Sequence, residues 1–180
     1  MSASINICFS TTEHLTSRLI RWVTGSRVSH ALITYRDATL GKIMVLEATA
    51  KGFWPQPWAR WKEQNTLVAR FALTLPEDVQ LRALRQLAEL IGEGYDYGGA
   101  AGWVARLFRR VENPLDSKQR LFCSEAVALF LSYTQILPQK ADPALQSPED
   151  LLKICTYSRN LVCAEGQHSP GELALVVKNQ

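Results

Sequence analysis

The stretch that decides the fold is His30-Ala31-Leu32-Ile33-Thr34-Tyr35, then Arg36-Asp37-Ala38-Thr39-Leu40-Gly41, then Lys42-Ile43-Met44-Val45-Leu46-Glu47-Ala48. Two runs rich in β-branched and aromatic residues, on either side of a short turn-rich connection, read as an antiparallel hairpin. If the connection is a six-residue loop, Tyr35 pairs with Lys42 and His30 faces Glu47. Directly opposed side chains carry Cβ atoms about 4.5 to 5.5 Å apart, close enough for a carboxylate to accept from an imidazole N–H. Glu47 is the only acid in the run Ile43 to Ala48, where an unpartnered carboxylate is costly. Two plainer readings stand beside this one. An edge-strand Glu can face water, and a lone His heading a strand is more often structural than catalytic.

Outward from the hairpin, Ile5 to Phe9 reads as a strand, and Thr11 or Thr12 caps a helix with Leu15, Leu19, Ile20 and Val23 on one face, ended by Gly25. Thr66 to Leu73 is a further β run. Between them Lys51 to Trp61 holds three tryptophans and two prolines, which suits an ordered loop better than a helix or inner strand. Trp54, Trp58 and Trp61 then form a satellite hydrophobic cluster or line a substrate groove. Pro76-Glu77-Asp78 starts a helix that runs with Val79, Ala83, Leu84, Leu87, Leu90 and Ile91 to Gly92. Ala100 to Val111 sets Trp103, Leu107 and Val111 against Arg106, Arg109 and Arg110, a solvated face or one that meets a membrane surface or phosphates. Phe122, Ala126, Leu129, Phe130, Tyr133 and Leu137 make a helical stripe ending before Pro138. Ser147-Pro148-Glu149-Asp150 caps a short helix, and Asn160 to Ala164 and Leu173 to Val177 complete the strands. The expected fold is α+β, with helices packed on one side of an antiparallel sheet of five or more strands.

Length and composition bound the function. The 180 residues are 47% hydrophobic and 21% charged with a net charge of +3, and the mean hydropathy is −0.08. That is an ordinary globular chain, expected to form one domain over residues 1–180. The small positive excess does not imply a nucleic-acid partner. Met1 to Phe9 lacks the basic and long apolar regions of a secretory signal, and no stretch approaches the roughly 18 apolar residues of a membrane span. A chain cytoplasmic as synthesised follows, with membrane contact at most peripheral. Cys8, Cys123, Cys155 and Cys163 form no CxxC pair, so reduced thiols are expected and neither a structural zinc nor another cofactor is called for.

Cys123 stands at the mouth of the most apolar helical stripe. A thiol at a helix N-terminus feels the partial positive charge of unpaired amides, which favours the thiolate a nucleophile needs. Position alone also fits a packed cysteine, since free Cys is among the most buried residue types. Of the other histidines, His14 falls inside the first helix and His168 in a Gly/Ser/Pro turn.

Taken together, Ile5 to Phe9, Leu19 to His30, Val45-Leu46-Glu47-Ala48, Phe122-Cys123-Ser124-Glu125 and Ser147-Pro148-Glu149-Asp150-Leu151 resemble the circularly permuted branch of the NlpC-type papain-like superfamily. These are the YiiX/YaeF-like amidases and peptidases, relatives of the lecithin:retinol acyltransferase group. The order His30, Glu47, Cys123 is that of the permuted branch. The resemblance implies Cys123 as nucleophile, His30 as general base and Glu47 as the group orienting it. Gly94-Tyr95-Asp96-Tyr97-Gly98-Gly99 is similar to the Tyr-containing segment upstream of the cysteine. By that likeness Tyr95, or Tyr97 equally, polarises the substrate carbonyl. The Cys123 surround departs from the Asp-Cys-Ser-Gly form of the cell-wall enzymes, which leaves peptidoglycan open as a substrate.

The activity so implied is amide hydrolysis through an acyl-enzyme, on a cell-wall peptide, a protein or a small amide, with acyl-lipid hydrolysis or acyl transfer as the alternative. Permuted domains of this kind also recur as delivered antibacterial effectors, which would bring an immunity or delivery protein as partner and a signal-independent route of export. The reading from a different class is a non-catalytic membrane-surface module built on the Arg/Trp helix faces.

Overall fold

A computed structural model describes residues 4–12, 22, 26–49, 52–92, 94–95, 120–121, 123–138 and 140–166. Strands β1 (Asn6–Thr11), β2 (His30–Asp37), β3 (Lys42–Thr49) and β4 (Gly52–Pro57) are followed by a short helix α1 (Trp58–Lys62). Then come β5 (Thr66–Leu73), α2 (Glu77–Ala88), the two-residue strands β6 (Gly94–Tyr95) and β7 (Arg120–Leu121), α3 (Cys123–Tyr133), α4 (Pro148–Tyr157) and β8 (Leu161–Gly166). Six strands form one sheet in the order β4-β3-β2-β1-β5-β8, with every neighbouring pair antiparallel. This is the expected α+β class, although the helices do not all lie on one side of the sheet: α1 packs on the face opposite the others. The expected helix over Leu15 to Val23, apart from Trp22, the helix over Ala100 to Val111 and the strand over Leu173 to Val177 fall outside the described residues.

The two faces of the sheet differ. Ile7, Phe9, Ala31, Ile33, Leu46, Ala48, Phe53 and Phe71 point to one side, where Ala83 and Leu87 of α2, Ala126, Val127, Phe130 and Leu131 of α3 and Leu151 of α4 cover them. Phe9 and Phe71 meet edge to face across β1 and β5, centroids 5.9 Å apart, and each such buried ring contributes about 1.5 to 3 kcal/mol. Helix α3 is apolar nearly all round, with Cys123, Ser124, Ala126, Val127, Ala128, Phe130 and Leu131 all buried, as befits a helix wedged into a core. The opposite face carries a smaller cluster, Cys8, Leu32 and Val45 under Trp61 of α1, joined by Trp58 and Leu67.

The structure corrects three further expectations. The hairpin runs two residues longer than a six-residue loop allows, because Asp37 pairs with Lys42 and Tyr35 with Met44. The Asp37 side chain accepts from the Leu40 amide at 2.8 Å, and Gly41 at φ +63 supplies the left-handed residue that closes the turn. Second, the stretch expected as a loop from Lys51 to Trp61 contains β4 and α1. Pro55 and Pro57 are tolerated because β4 is the sheet's edge strand. Third, α3 stops at Tyr133 rather than before Pro138. Gln135 takes φ +59, and the amides of Ile136 and Leu137 both return to the Leu131 carbonyl, so Leu137 still reaches the core.

Candidate active site

Cys123 opens α3, His30 opens β2, and Glu47 lies near the end of β3. The β2–β3 ladder runs from Asp37 with Lys42 to Ile33 with Leu46. Beyond that last pair are His30, Ala31 and Leu32 on one strand and Glu47 and Ala48 on the other. Helix α3 packs on both strands, and its first residue meets them there. The backbone amides of Ala31 and Ser124 donate to the Cys123 sulfur, and His30 hydrogen-bonds the same atom.

Glu47 is 5% exposed and His30 18%. His30 Nε2 lies 2.5 Å from Glu47 Oε2, which leaves Nδ1 as the ring nitrogen available to Cys123. Glu47 Oε2 also accepts from the indole Nε1 of Trp61 at 3.2 Å, and Oε1 accepts from Gln56 Nε2 at 2.5 Å. Burial penalises the carboxylate. His30, Gln56 and Trp61 outweigh it and hold the Glu47 pKa below its ordinary value.

The same contest shapes the other two groups. Burial pulls the imidazole down, yet the charge and hydrogen bond of Cys123, then those of Glu47, push His30 up to about 10. Burial pushes the Cys123 thiol up, but the His30 charge and hydrogen bond, with the amides of Ala31 and Ser124, bring it below the usual thiol range. Each of the three shifts favours the charged form of its group, a thiolate beside an imidazolium that a carboxylate backs. The other buried thiols go the opposite way: burial raises Cys8 to about 12 and pushes Cys155 up as well.

The structure thus brings together Cys123, His30 and Glu47, the three residues the sequence singles out. Their contact is diagonal rather than directly opposed, since Leu46 partners Ile33. His30 and Glu47 still share the face of Leu32 and Val45, while Ala31 and Ile33 point into the main core. The backbone of Tyr95 pairs in parallel with Leu121, two residues before Cys123. The Tyr95 side chain, and Tyr97 altogether, lie outside the described residues. Of the three tryptophans, Trp58 and Trp61 stack at 4.7 Å in the smaller cluster and Trp54 is 50% exposed. Sequence reading missed Gln56 and Trp61 as partners of Glu47. The available signal was the carboxylate itself, because a buried one needs several donors and the Trp-rich segment next in the chain could supply them.

No protein-family model and no curated protein matches the sequence. Among solved structures, the crystal structure of the metalloprotein YiiX from Escherichia coli O157:H7 is similar, with a TM-score of 0.62 and 17% identity, covering 92% of this chain and 98% of that one. No helix among the described residues is long and apolar enough to cross a membrane. The chain shares the α+β fold of YiiX.

Proposed function

We propose that the chain is a cysteine hydrolase that cleaves amides through an acyl-enzyme on Cys123. The observation that carries this reading is the opposite treatment of three buried thiols. Burial is the largest cause that raises Cys8 and Cys155, whereas His30 and two backbone amides reverse it at Cys123. A fold that lowers one buried thiol against its desolvation has the arrangement of an activated nucleophile.

In the proposed reaction the Cys123 thiolate attacks the carbonyl carbon. As the tetrahedral intermediate collapses, the C–N bond breaks and the His30 imidazolium gives its proton to the departing amine. Water then attacks the thioester while His30 takes its proton, and the carboxylic acid leaves Cys123 as thiolate facing a recharged imidazolium. Glu47 holds Nε2–H throughout and stabilises the imidazolium. The resemblance supports a peptide or small amide as substrate. An acyl-lipid would use the same residues and is an outcome of the same test.

YiiX is a metalloprotein, but His30 and Glu47 of this chain lack the spacing of two ligands to one ion. Two ligands of one tetrahedral ion with bonds of about 2.0 to 2.1 Å lie roughly 3.3 Å apart, whereas His30 Nε2 and Glu47 Oε2 are 2.5 Å apart. Among the described residues no group of three His, Cys, Asp or Glu side chains is disposed to hold a metal ion. The pair does not fit a shared ion.

The test is a thiol-directed activity probe followed by a screen of peptidoglycan fragments, model peptides and acyl-lipids, each with wild type and Cys123→Ala. Turnover that disappears in folded Cys123→Ala supports the reading. Turnover that survives there removes the nucleophile assignment.

A further inference from the structure

Glu47 is bound by more than the reaction asks of it. An orienting carboxylate needs one bond to the imidazole, but this one accepts three side-chain donors, and both extra donors are neutral: the amide of Gln56 on Oε1 and the indole of Trp61 on Oε2. They come from two different elements, the edge strand β4 and the short helix α1. Resting on the reading of Cys123 as nucleophile, we propose that Gln56 and Trp61 are positioning residues, a two-sided clamp that fixes the Glu47 carboxylate in the one orientation that receives Nε2–H of His30.

The chemistry of the clamp explains why these residue types stand there. A lysine or arginine would also hold the carboxylate, but as an ion pair that competes with the imidazolium for the same negative charge. Neutral N–H donors satisfy the spare lone pairs of a buried carboxylate and leave its full charge to His30. The Gln56 orientation is set by the same logic, since its carbonyl oxygen against the carboxylate would be repulsive. Trp61 is suited to hold still: it is 1% exposed, packed with Cys8, Leu32 and Val45, and stacked on Trp58. The tryptophan-rich segment is therefore split, with Trp61 aimed at the site and Trp54 left at the surface.

The experiment compares wild type, Gln56→Met, Trp61→Phe, Glu47→Gln and the double variants that combine Glu47→Gln with each clamp substitution. Gln56→Met keeps length while replacing the amide, and Trp61→Phe keeps an aromatic ring but trades the indole donor for a smaller side chain in a packed cluster. Two readouts need no substrate: the rate of Cys123 alkylation by iodoacetamide near neutral pH, and the size of the ultraviolet thiolate band that Cys123→Ala abolishes. Each single clamp variant is expected to slow Cys123 about 10-fold and shrink the band, as loss of a hydrogen bond to a charged group should. In the Glu47→Gln background the clamp substitutions should add little, because the charge they act through is gone. Protection of Cys8 and Cys155 reports folding in the same peptide map, and if Trp61→Phe unfolds, Gln56→Met decides alone. Wild-type rates in the folded single variants, or an undiminished loss in the Glu47→Gln background, would overturn the clamp. A wild-type Cys123 no faster than the partly exposed Cys163 overturns the nucleophile reading itself, and the clamp falls with it.

Discussion

His30 and Glu47 meet diagonally across the β2–β3 hairpin, Nε2 to Oε2 at 2.5 Å, although Glu47 is paired on its other side with Trp54 of the edge strand. The diagonal makes the geometry depend on the donors that hold Glu47 from β4 and α1.

The first consequence is selectivity among four thiols. Cys123 is lowered by His30 and the Ala31 and Ser124 amides, while Cys8 and Cys155 are raised by burial. Limiting iodoacetamide near neutral pH should therefore modify Cys123 first. Peptide mapping over a time course measures this, and equal rates at all four positions in folded protein would contradict it.

A second expectation concerns pH. His30 is raised to about 10, and the leaving group needs its proton, so turnover should fall on the alkaline side as the imidazolium deprotonates. Glu47→Gln removes the anion that helps raise His30, so this limb should move to lower pH. The acid limb belongs to the lowered Cys123 thiol and should move less. An alkaline limb that stays put or moves upward in Glu47→Gln would show that Glu47 does not support the imidazolium.

Third, Cys123→Ala and His30→Ala should each lower turnover on the order of 10³-fold or more, and the double variant should be little worse than either. Members of one catalytic unit are lost together. Losses that multiply in the double variant would mean the two groups act independently.

A fourth prediction separates scaffold from site. Ser147 accepts from the Asp150 amide at 3.1 Å and donates its own backbone N–H to Asp150 at 3.1 Å, closing a capping box on α4. Ser147→Ala should lower the unfolding free energy by about 1 kcal/mol, seen as a lower denaturant midpoint. The Cys123 alkylation rate should not change. A slower rate would tie α4 to the site.

Much of this was legible in the sequence, for reasons that can be stated residue by residue. The face shared by His30 and Glu47 survived an error in register because the slip was two residues. Side chains alternate with period two, so an even slip keeps every residue on its face and an odd one would have turned Glu47 away. The slip itself comes from Asp37 and Gly41, whose side-chain bond to Leu40 and positive φ make a four-residue turn where the sequence alone suggests six. β4 was hidden by Pro55 and Pro57, which argue against a strand unless it is known to be an edge. That edge position depends on the other strands, so no local reading of the segment reveals it. Gln56 and Trp61 were hidden for the same reason.

His30 and Glu47 are separated by 17 positions and share one hairpin, a contact that closes early because little chain entropy opposes it. Cys123 arrives roughly half a chain later, on a helix that must dock before the sulfur meets the imidazole. In a chain made from its N-terminus the acid–base half is ready first, and the thiol keeps ordinary reactivity until that long-range contact forms. The rate at which Cys123 becomes alkylatable during refolding is thus a clock for the docking of α3 on the hairpin.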